Sequence, residues 1–217
     1  MYPNVWIGEK FNDAEKKVLI LGESHYGNKD EIGKSPFATK DIVKGYLGEK
    51  SHRFFNAIAK TFGYERKNIK EFYDYICFGN YVDVVVDKDD KKRNGKAYIE
   101  ANKNVYNKEL FDFCIGNSID IVVCFSKAVY WNLPFGYGED QRKNQKENQK
   151  EDQREYQREN KKATIKIEKW MYKQGTLDLD KDLLVYGLPH PTGWPGYDAK
   201  LIYEEYMKNE FGWLCNR

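Results

Sequence analysis

The amino-acid sequence predicts a three-layer α/β fold, in which a central, mainly parallel four-stranded sheet is covered by helices on both faces. Four short apolar runs each end in glycine or polar residues, as buried parallel strands do, and helical patterns separate and follow them. This alternation of strand and helix is the order of a parallel, helix-covered sheet. A chain of 217 residues suits one such core, so we expect a single domain over residues 1–217.

The predicted elements follow from apolar runs and from helix start signals. The strands are 17–21, 76–86 with an interruption at Gly79, 120–125 and 182–187. Serine, asparagine and aspartate stand where helices begin, because their side chains accept free backbone N–H groups. The helices are 36–46 after Ser35, 52–62 between Ser51 and Gly63, 69–75 after Asn68, a stretch near 98–117, 127–133 after Ser126, and 199–211 after Asp198.

Residues 139–162 depart from this alternation. Gln141–Asn160 is a five-fold tetrapeptide repeat without aliphatic residues, so it cannot bury a core. Its residue types form helices well and its charges nearly cancel, which leaves a solvated helix and a disordered loop both open. We expect a charged low-complexity surface insertion at 139–162 with no catalytic role.

Composition limits the class of protein. The formal net charge of +2 produces no strong global field, so any nucleic-acid site must be local. The N-terminus has no signal-peptide pattern and no apolar run would cross a membrane, so we expect a cytoplasmic monomer without membrane contact. Cys77, Cys114, Cys124 and Cys215 lack the paired spacing of an iron–sulfur cluster. The first three stand among apolar neighbours, which predicts reduced, buried thiols. We expect no metal and no cofactor.

Three loops that carry candidate catalytic or ligand-binding side chains follow predicted strands. They are Gly22–Gly27 (GESHYG), Phe78–Asn80 within the second strand, and His190–Trp194 (HPTGW). Ligands of parallel sheets bind at the carboxyl ends of the strands, where such loops converge. Each signal alone has an ordinary structural explanation, but a core needs neither His-Pro nor a polar asparagine at these points.

With these loops the sequence resembles the uracil-DNA glycosylase superfamily over nearly all of the chain outside 139–162. In the best-known branch the first motif reads Gly-Gln-Asp-Pro-Tyr-His, and GESHYG keeps Gly22 and Tyr26 at the same spacing. A phenylalanine that stacks on the flipped base follows fifteen residues after that glycine, and Phe37 stands at this distance from Gly22. An asparagine ends the second strand of the family, as Asn80 does here.

The last family motif, His-Pro-Ser followed by an apolar wedge, is similar to His190-Pro191-Thr192 with Trp194. The resemblance implies that His190 donates a hydrogen bond to the anionic base and that Trp194 fills the gap in the duplex. It implies that Asn80 reads the base edge, Phe37 stacks on the ring and Tyr26 excludes thymine by its bulk. The full set is catalytic Glu23, Ser24, His25 and His190, substrate-binding Gly22, Tyr26, Phe37 and Asn80, and DNA-intercalating Trp194.

One departure from the family concerns the water-positioning aspartate, which is Ser24 in this chain. Glu23 is the nearest carboxylate, and other branches carry Gly-Glu at this point. His25 also replaces a proline and Gly27 a histidine. Either catalysis uses Glu23 together with His25, or hydrolysis of plain uracil is weak or absent.

Ordinary structural roles remain open for several of these residues. Phe37 and Tyr26 are also compatible with core rings, Trp194 with packing under its own loop, and Glu23 with capping a backbone amide. Scattered cations near the loops are typical of a solvated face: Lys29, Lys34, Lys40, Arg53 and Lys127.

The resulting hypothesis is a DNA glycosylase that flips a uracil-like or modified pyrimidine base from single- or double-stranded DNA and hydrolyses its N-glycosidic bond. The alternative is a non-catalytic nucleobase- or DNA-binding module of the same fold, acting as a sensor or defence factor. A third interpretation is an unrelated α/β enzyme with similar strand-end residues.

Overall fold

A mostly parallel sheet forms the centre of the protein, whose structure is a computed structural model. The structure describes residues 4–33, 39–48, 52–87, 94–134 and 167–214. Within these residues the sheet has six strands, from edge to edge β1 (Trp6–Ile7), β4 (Ile76–Asn80), β2 (Val18–Gly22), β6 (Ile121–Cys124), β8 (Leu183–Gly187) and β7 (Glu168–Tyr172).

The four central strands, β4, β2, β6 and β8, pair in parallel, whereas β1 and β7 add to the two edges in antiparallel orientation. The prediction of a mainly parallel sheet is therefore confirmed. The predicted number of four strands was wrong, because both antiparallel edge strands were missed. Only the central strands are buried on both faces, which is why only they read as continuous apolar runs.

A small second sheet pairs β3 (His25–Gly27) with β5 (Val85–Asp87) in parallel. The segment 76–86, predicted as one strand interrupted at Gly79, is thus divided between two sheets. Gly79 lies inside β4, and the chain leaves the main sheet only after Asn80. The position of the interruption was therefore wrong by a few residues.

The helices are α1 (Thr39–Gly48), α2 (Arg53–Thr61), α3 (Ile69–Asp74), α4 (Asn94–Gly116), α5 (Lys127–Asn132) and α6 (Ala199–Ile202), followed by a π-helical turn (Tyr203–Met207) and α7 (Lys208–Glu210). Short 3₁₀ turns lie at Phe11–Asp13, Lys29–Glu31, Arg66–Asn68 and Thr176–Asp178.

Two of the predicted helix caps are confirmed by their hydrogen bonds. The Ser126 side chain accepts from Val129 N–H at the start of α5, and Asp198 accepts from two backbone N–H groups at the start of α6. Asn68 makes no such bond at the start of α3. Gly63 follows α2 with φ +83°, the left-handed conformation that favours glycine after a helix. Ser35 and Ser51 lie outside the described residues.

Helices cover both faces of the sheet, and β2 shows how. Val18 and Ile20 belong to a buried cluster with α1, α2, α3 and the π-helical turn. Leu19 and Leu21 point to the opposite cluster with α4 and α5, since side chains alternate along a strand. This arrangement is compatible with a three-layer α/β fold.

The second cluster contains Cys77, Cys114 and Cys124 as free, buried thiols, as predicted, and burial raises the pKa of each thiol. Cys215 lies outside the described residues, as does the predicted insertion at 139–162. In the part of the chain that the structure describes, no helix is both long and apolar enough to span a membrane.

Candidate active site

A cavity of about 440 Å³ opens beside the carboxyl ends of three parallel strands. Its walls come from the loops after β2, β6 and β8, which lie side by side in the sheet. The described lining residues are Glu23, Tyr26, Ser126, Lys127, Ala128, Pro189, His190, Gly193, Trp194 and Pro195. Glu23 and Ser126, which are 103 positions apart in the chain, are therefore in contact at the carboxyl ends of the strands.

The Glu23 carboxylate is held by two hydroxyl groups. Ser126 Oγ donates to Glu23 Oε2 at 2.7 Å. Tyr26 Oη donates to Glu23 Oε1 at 3.2 Å. These two donors hold the carboxylate in a fixed orientation. Glu23 therefore places its carboxylate group at the wall of the cavity.

The orientation of the His190 ring follows from its own loop. Nδ1 accepts from the backbone N–H groups of Gly193 at 3.1 Å and Thr192 at 3.3 Å. A neutral imidazole that accepts at Nδ1 carries its proton at Nε2, which makes Nε2–H a hydrogen-bond donor. A Cβ atom at Gly193 would lie 3.3 Å from Nδ1, so the absence of a side chain lets the backbone come this close. The Phe54 ring lies 5.2 Å from the imidazole.

His25 and Asn80 form a separate polar pair. Asn80 Nδ2 lies 2.8 Å from His25 Nε2, and Thr39 Oγ1 lies at the same distance from that nitrogen. The NH2 group at Asn80 Nδ2 can only donate, so Nε2 is the acceptor and His25 is neutral with its proton on Nδ1. Burial lowers the pKa of His25 to about 4, which is consistent with this tautomer.

A series of side-chain contacts leads from the His25–Asn80 pair to His190. The Asn80 side chain lies over Gly22, so close that a Cβ atom at Gly22 would be 2.3 Å from Asn80 Oδ1 and 3.4 Å from Phe78 Cζ. Phe78 contacts Phe54, and Phe54 contacts the His190 ring. Asn80 and His190 therefore lie near the two ends of this series of contacts.

The structure brings together some of the residues selected from sequence and leaves others apart. Glu23, Tyr26, His190 and Trp194 line the cavity, whereas His25 and Asn80 are not among its described lining residues. Tyr26 and Trp194 are 52% and 42% exposed, so neither is a core ring. Phe37 lies outside the described residues.

Ser24 does not take the place of a charged group. Its Oγ is buried and has no hydrogen-bond partner among the described residues. A serine hydroxyl is uncharged, so Ser24 supplies no negative charge to the site. The carboxylate of the site is Glu23, one residue earlier in the chain.

Sequence reasoning missed Ser126 and Phe54 as residues near the site, and it interpreted Lys127 as part of a solvated face. Ser126 was recognised only as a helix cap and Phe54 only as part of a helix face. The signal available was that Ser126 also follows a central parallel strand, which places it at the ligand-binding edge. Lys127 lines the cavity beside it, with its Nζ 3.6 Å from Glu168 Oε1.

Alanine at position 22 should destabilise the protein, because its Cβ would displace Asn80 from its contact with His25. We expect the free energy of unfolding to fall by about 1–3 kcal/mol, the cost of leaving a buried polar group unsatisfied. Urea denaturation measures it. Gly116→Ala is the matched control, since a Cβ there meets nothing within 4 Å, and this helical position should be neutral or more stable. Equal effects of both variants would contradict the geometry.

Stability should depend on pH through His25. In the unfolded chain the His25 ring takes up a proton near pH 6.5, whereas in the folded protein it stays neutral until the pH falls to about 4. The free energy of unfolding should therefore decrease as the pH falls from 6.5 to 4, by at most about 3 kcal/mol. His25→Gln keeps an acceptor for Asn80 but does not titrate. Comparing urea unfolding of both proteins across this range isolates His25, and a constant difference between them would be evidence against the burial of a neutral imidazole.

No group of three or more histidine, cysteine, aspartate and glutamate residues among the described residues is arranged to hold a metal ion. No family model matches the chain, and a search of curated proteins gives no significant match.

Proposed function

We propose that this protein is a DNA glycosylase with the fold of the uracil-DNA glycosylase superfamily, which binds a uracil-like or modified pyrimidine base flipped out of DNA and hydrolyses its N-glycosidic bond. One observation carries the proposal: the Glu23 carboxylate and the His190 imidazole line the same cavity of about 440 Å³. Glycosidic cleavage requires negative charge near the sugar and a hydrogen-bond donor near the leaving base. Glu23 and His190 supply these two groups.

In the proposed reaction the bond between C1′ of the deoxyribose and the base nitrogen breaks, and its electron pair moves onto the base. His190 Nε2–H donates to the base oxygen on which negative charge develops. The Glu23 carboxylate stabilises the positive charge that develops on the sugar and orients the attacking water. The water oxygen bonds to C1′, its proton passes by way of the carboxylate to the base, and an abasic site remains.

Exposed aromatic rings at the cavity support a nucleic-acid partner. Tyr26 and Trp194 line it and are 52% and 42% exposed, so part of each ring can be reached by a ligand. A base stacks on any aromatic face, for a gain of roughly 1–3 kcal/mol. A ring that enters the duplex offsets part of the unstacking cost of a flipped base. The volume also lies within the usual range for small-ligand sites, roughly 300–1,000 Å³.

The second candidate is a binding module of the same fold that holds a base or DNA without cleaving it. The observation that favours it is the contact between Asn80 Nδ2 and His25 Nε2 at 2.8 Å. This contact uses one of the two amide N–H groups that would otherwise be available to read the base edge. The uncharged Ser24 in place of the family's aspartate points in the same direction.

Strand-cleavage assays separate the two functions. End-labelled single- and double-stranded oligonucleotides that carry uracil or other modified pyrimidines are incubated with the protein and then treated with alkali, which breaks the strand at abasic sites. A glycosylase gives cleavage at the modified base that requires alkali. Binding of the same oligonucleotides without cleavage on any base would support the binding module. If the protein neither binds nor cleaves these oligonucleotides, both functions are refuted.

A further inference from the structure

Ser126 joins the start of helix α5 to the Glu23 carboxylate. Its Oγ accepts from Val129 N–H at 3.4 Å and lies 2.7 Å from Glu23 Oε2. A serine hydroxyl has a single proton, and an ionised carboxylate can only accept, so that proton points to Glu23. Ser126 is 2% exposed, which keeps water from competing for the bond. Charge-assisted hydrogen bonds of this kind are stronger than neutral ones.

The two oxygens of Glu23 are in different surroundings. Oε2 is held by the buried Ser126, whereas Oε1 accepts from Tyr26 at the longer distance of 3.2 Å. Tyr26 is 52% exposed, so its ring can move when a ligand enters. Oε1 is therefore the oxygen that a ligand can reach without breaking the buried contact.

From this asymmetry we infer that Ser126 is the positioning residue of Glu23, and that Oε1 is the oxygen that faces the developing charge on the sugar. The inference rests on the proposed function for the nature of the ligand. It assigns Ser126 a role beyond the helix cap, and it assigns the Tyr26 hydroxyl to the second, replaceable contact.

Substitutions at position 126 separate positioning from capping. Threonine keeps the hydroxyl and the cap. Alanine removes both, whereas glycine removes the hydroxyl but is a much better helix cap than alanine. If Ser126 only caps α5, glycine should behave almost like the wild type. If it positions Glu23, glycine and alanine should fail equally, and threonine should restore the wild-type behaviour.

The experiment measures binding rather than turnover. Oligonucleotides carry either a pyrrolidine abasic-site analogue, which is protonated at neutral pH, or the neutral tetrahydrofuran analogue. The ratio of their dissociation constants reports how well the carboxylate is aimed at a cationic sugar. We expect the wild type to prefer the cationic analogue at least about tenfold, and S126A and S126G to lose about tenfold of this preference, as for a hydrogen bond to a charged group. S126T should retain it and E23Q should lose it.

Three results would overturn the inference: a wild type without preference for the cationic analogue, a glycine variant that matches the wild type, or an alanine variant that keeps the full preference. Thermal unfolding of each variant shows that it is folded at the assay temperature. Base release, measured separately, distinguishes the two levels of the argument. Preference that depends on Ser126 without base release would refute the glycosylase and leave the positioning role intact.

Discussion

His190→Ala should lower the single-turnover rate of base release about 100-fold, corresponding to about 3 kcal/mol in the barrier. The reason is the fixed direction of the ring. Backbone N–H groups of Thr192 and Gly193 donate to Nδ1, which places the ring proton on Nε2, the donor that the proposed function assigns to the leaving base. Alanine removes that donor while the backbone of the loop remains. The rate is measured with enzyme in excess over labelled DNA, so that product release does not limit it.

His52→Ala is the matched control, because His52 is an exposed histidine at the start of α2 and does not line the cavity. It should retain the wild-type rate. A His190→Ala rate within about threefold of the wild type would contradict this role. Such a change is far smaller than the effect of removing a donor to an oxyanion, and it would mean that no important charge develops near Nε2.

Glu23→Gln should have the larger effect, a loss on the order of 1,000-fold in the same rate, at the upper end of what one electrostatic group contributes. The substitution keeps the shape and an acceptor for Ser126 but removes the negative charge. Because DNA is itself negative, affinity for uncleavable DNA should be unchanged or higher. The variant therefore separates catalysis from binding, and gel-shift titration beside the rate measurement shows both.

The control for Glu23→Gln is Glu65→Gln, which neutralises an exposed glutamate of the Arg66–Asn68 turn outside the cavity. We expect full activity from it. Retention of a large part of the activity by Glu23→Gln would show that another group stabilises the sugar. The proposed role of Glu23 would then be wrong.

The central part of the fold was predictable because burial on both faces makes a strand apolar throughout. Val18–Gly22, Ile121–Cys124 and Leu183–Gly187 are of this kind, and each was located to within a residue or two. The edge strand Glu168–Tyr172 was not found, because Glu168 and Lys169 leave it without a continuous apolar run and Met171 is 42% exposed. Two-residue pairing at Trp6–Ile7 is too short to give any pattern.

The convergence of Glu23, Tyr26, His190 and Trp194 on one cavity followed from strand order, since loops after neighbouring parallel strands meet. The hydrogen bond from Ser126 to Glu23 could not be predicted, because a capping serine gives no sign of where its proton points.

The direction of the His25 ring was equally beyond sequence. A motif fixes which residues are neighbours in the chain, but side-chain torsions decide which partners they meet. His25 Nε2 contacts Asn80 and Thr39, and His25 is not among the described residues that line the cavity.

The most direct test is the structure of the protein with an oligonucleotide whose modified nucleotide carries a 2′-fluorine, which destabilises the cationic sugar and prevents cleavage. We predict a base outside the stack, with its oxygen within hydrogen-bond distance of His190 Nε2 and its C1′ facing Glu23 Oε1. A complex in which the base stays stacked in the DNA, or occupies a site away from Glu23 and His190, would contradict the proposed function.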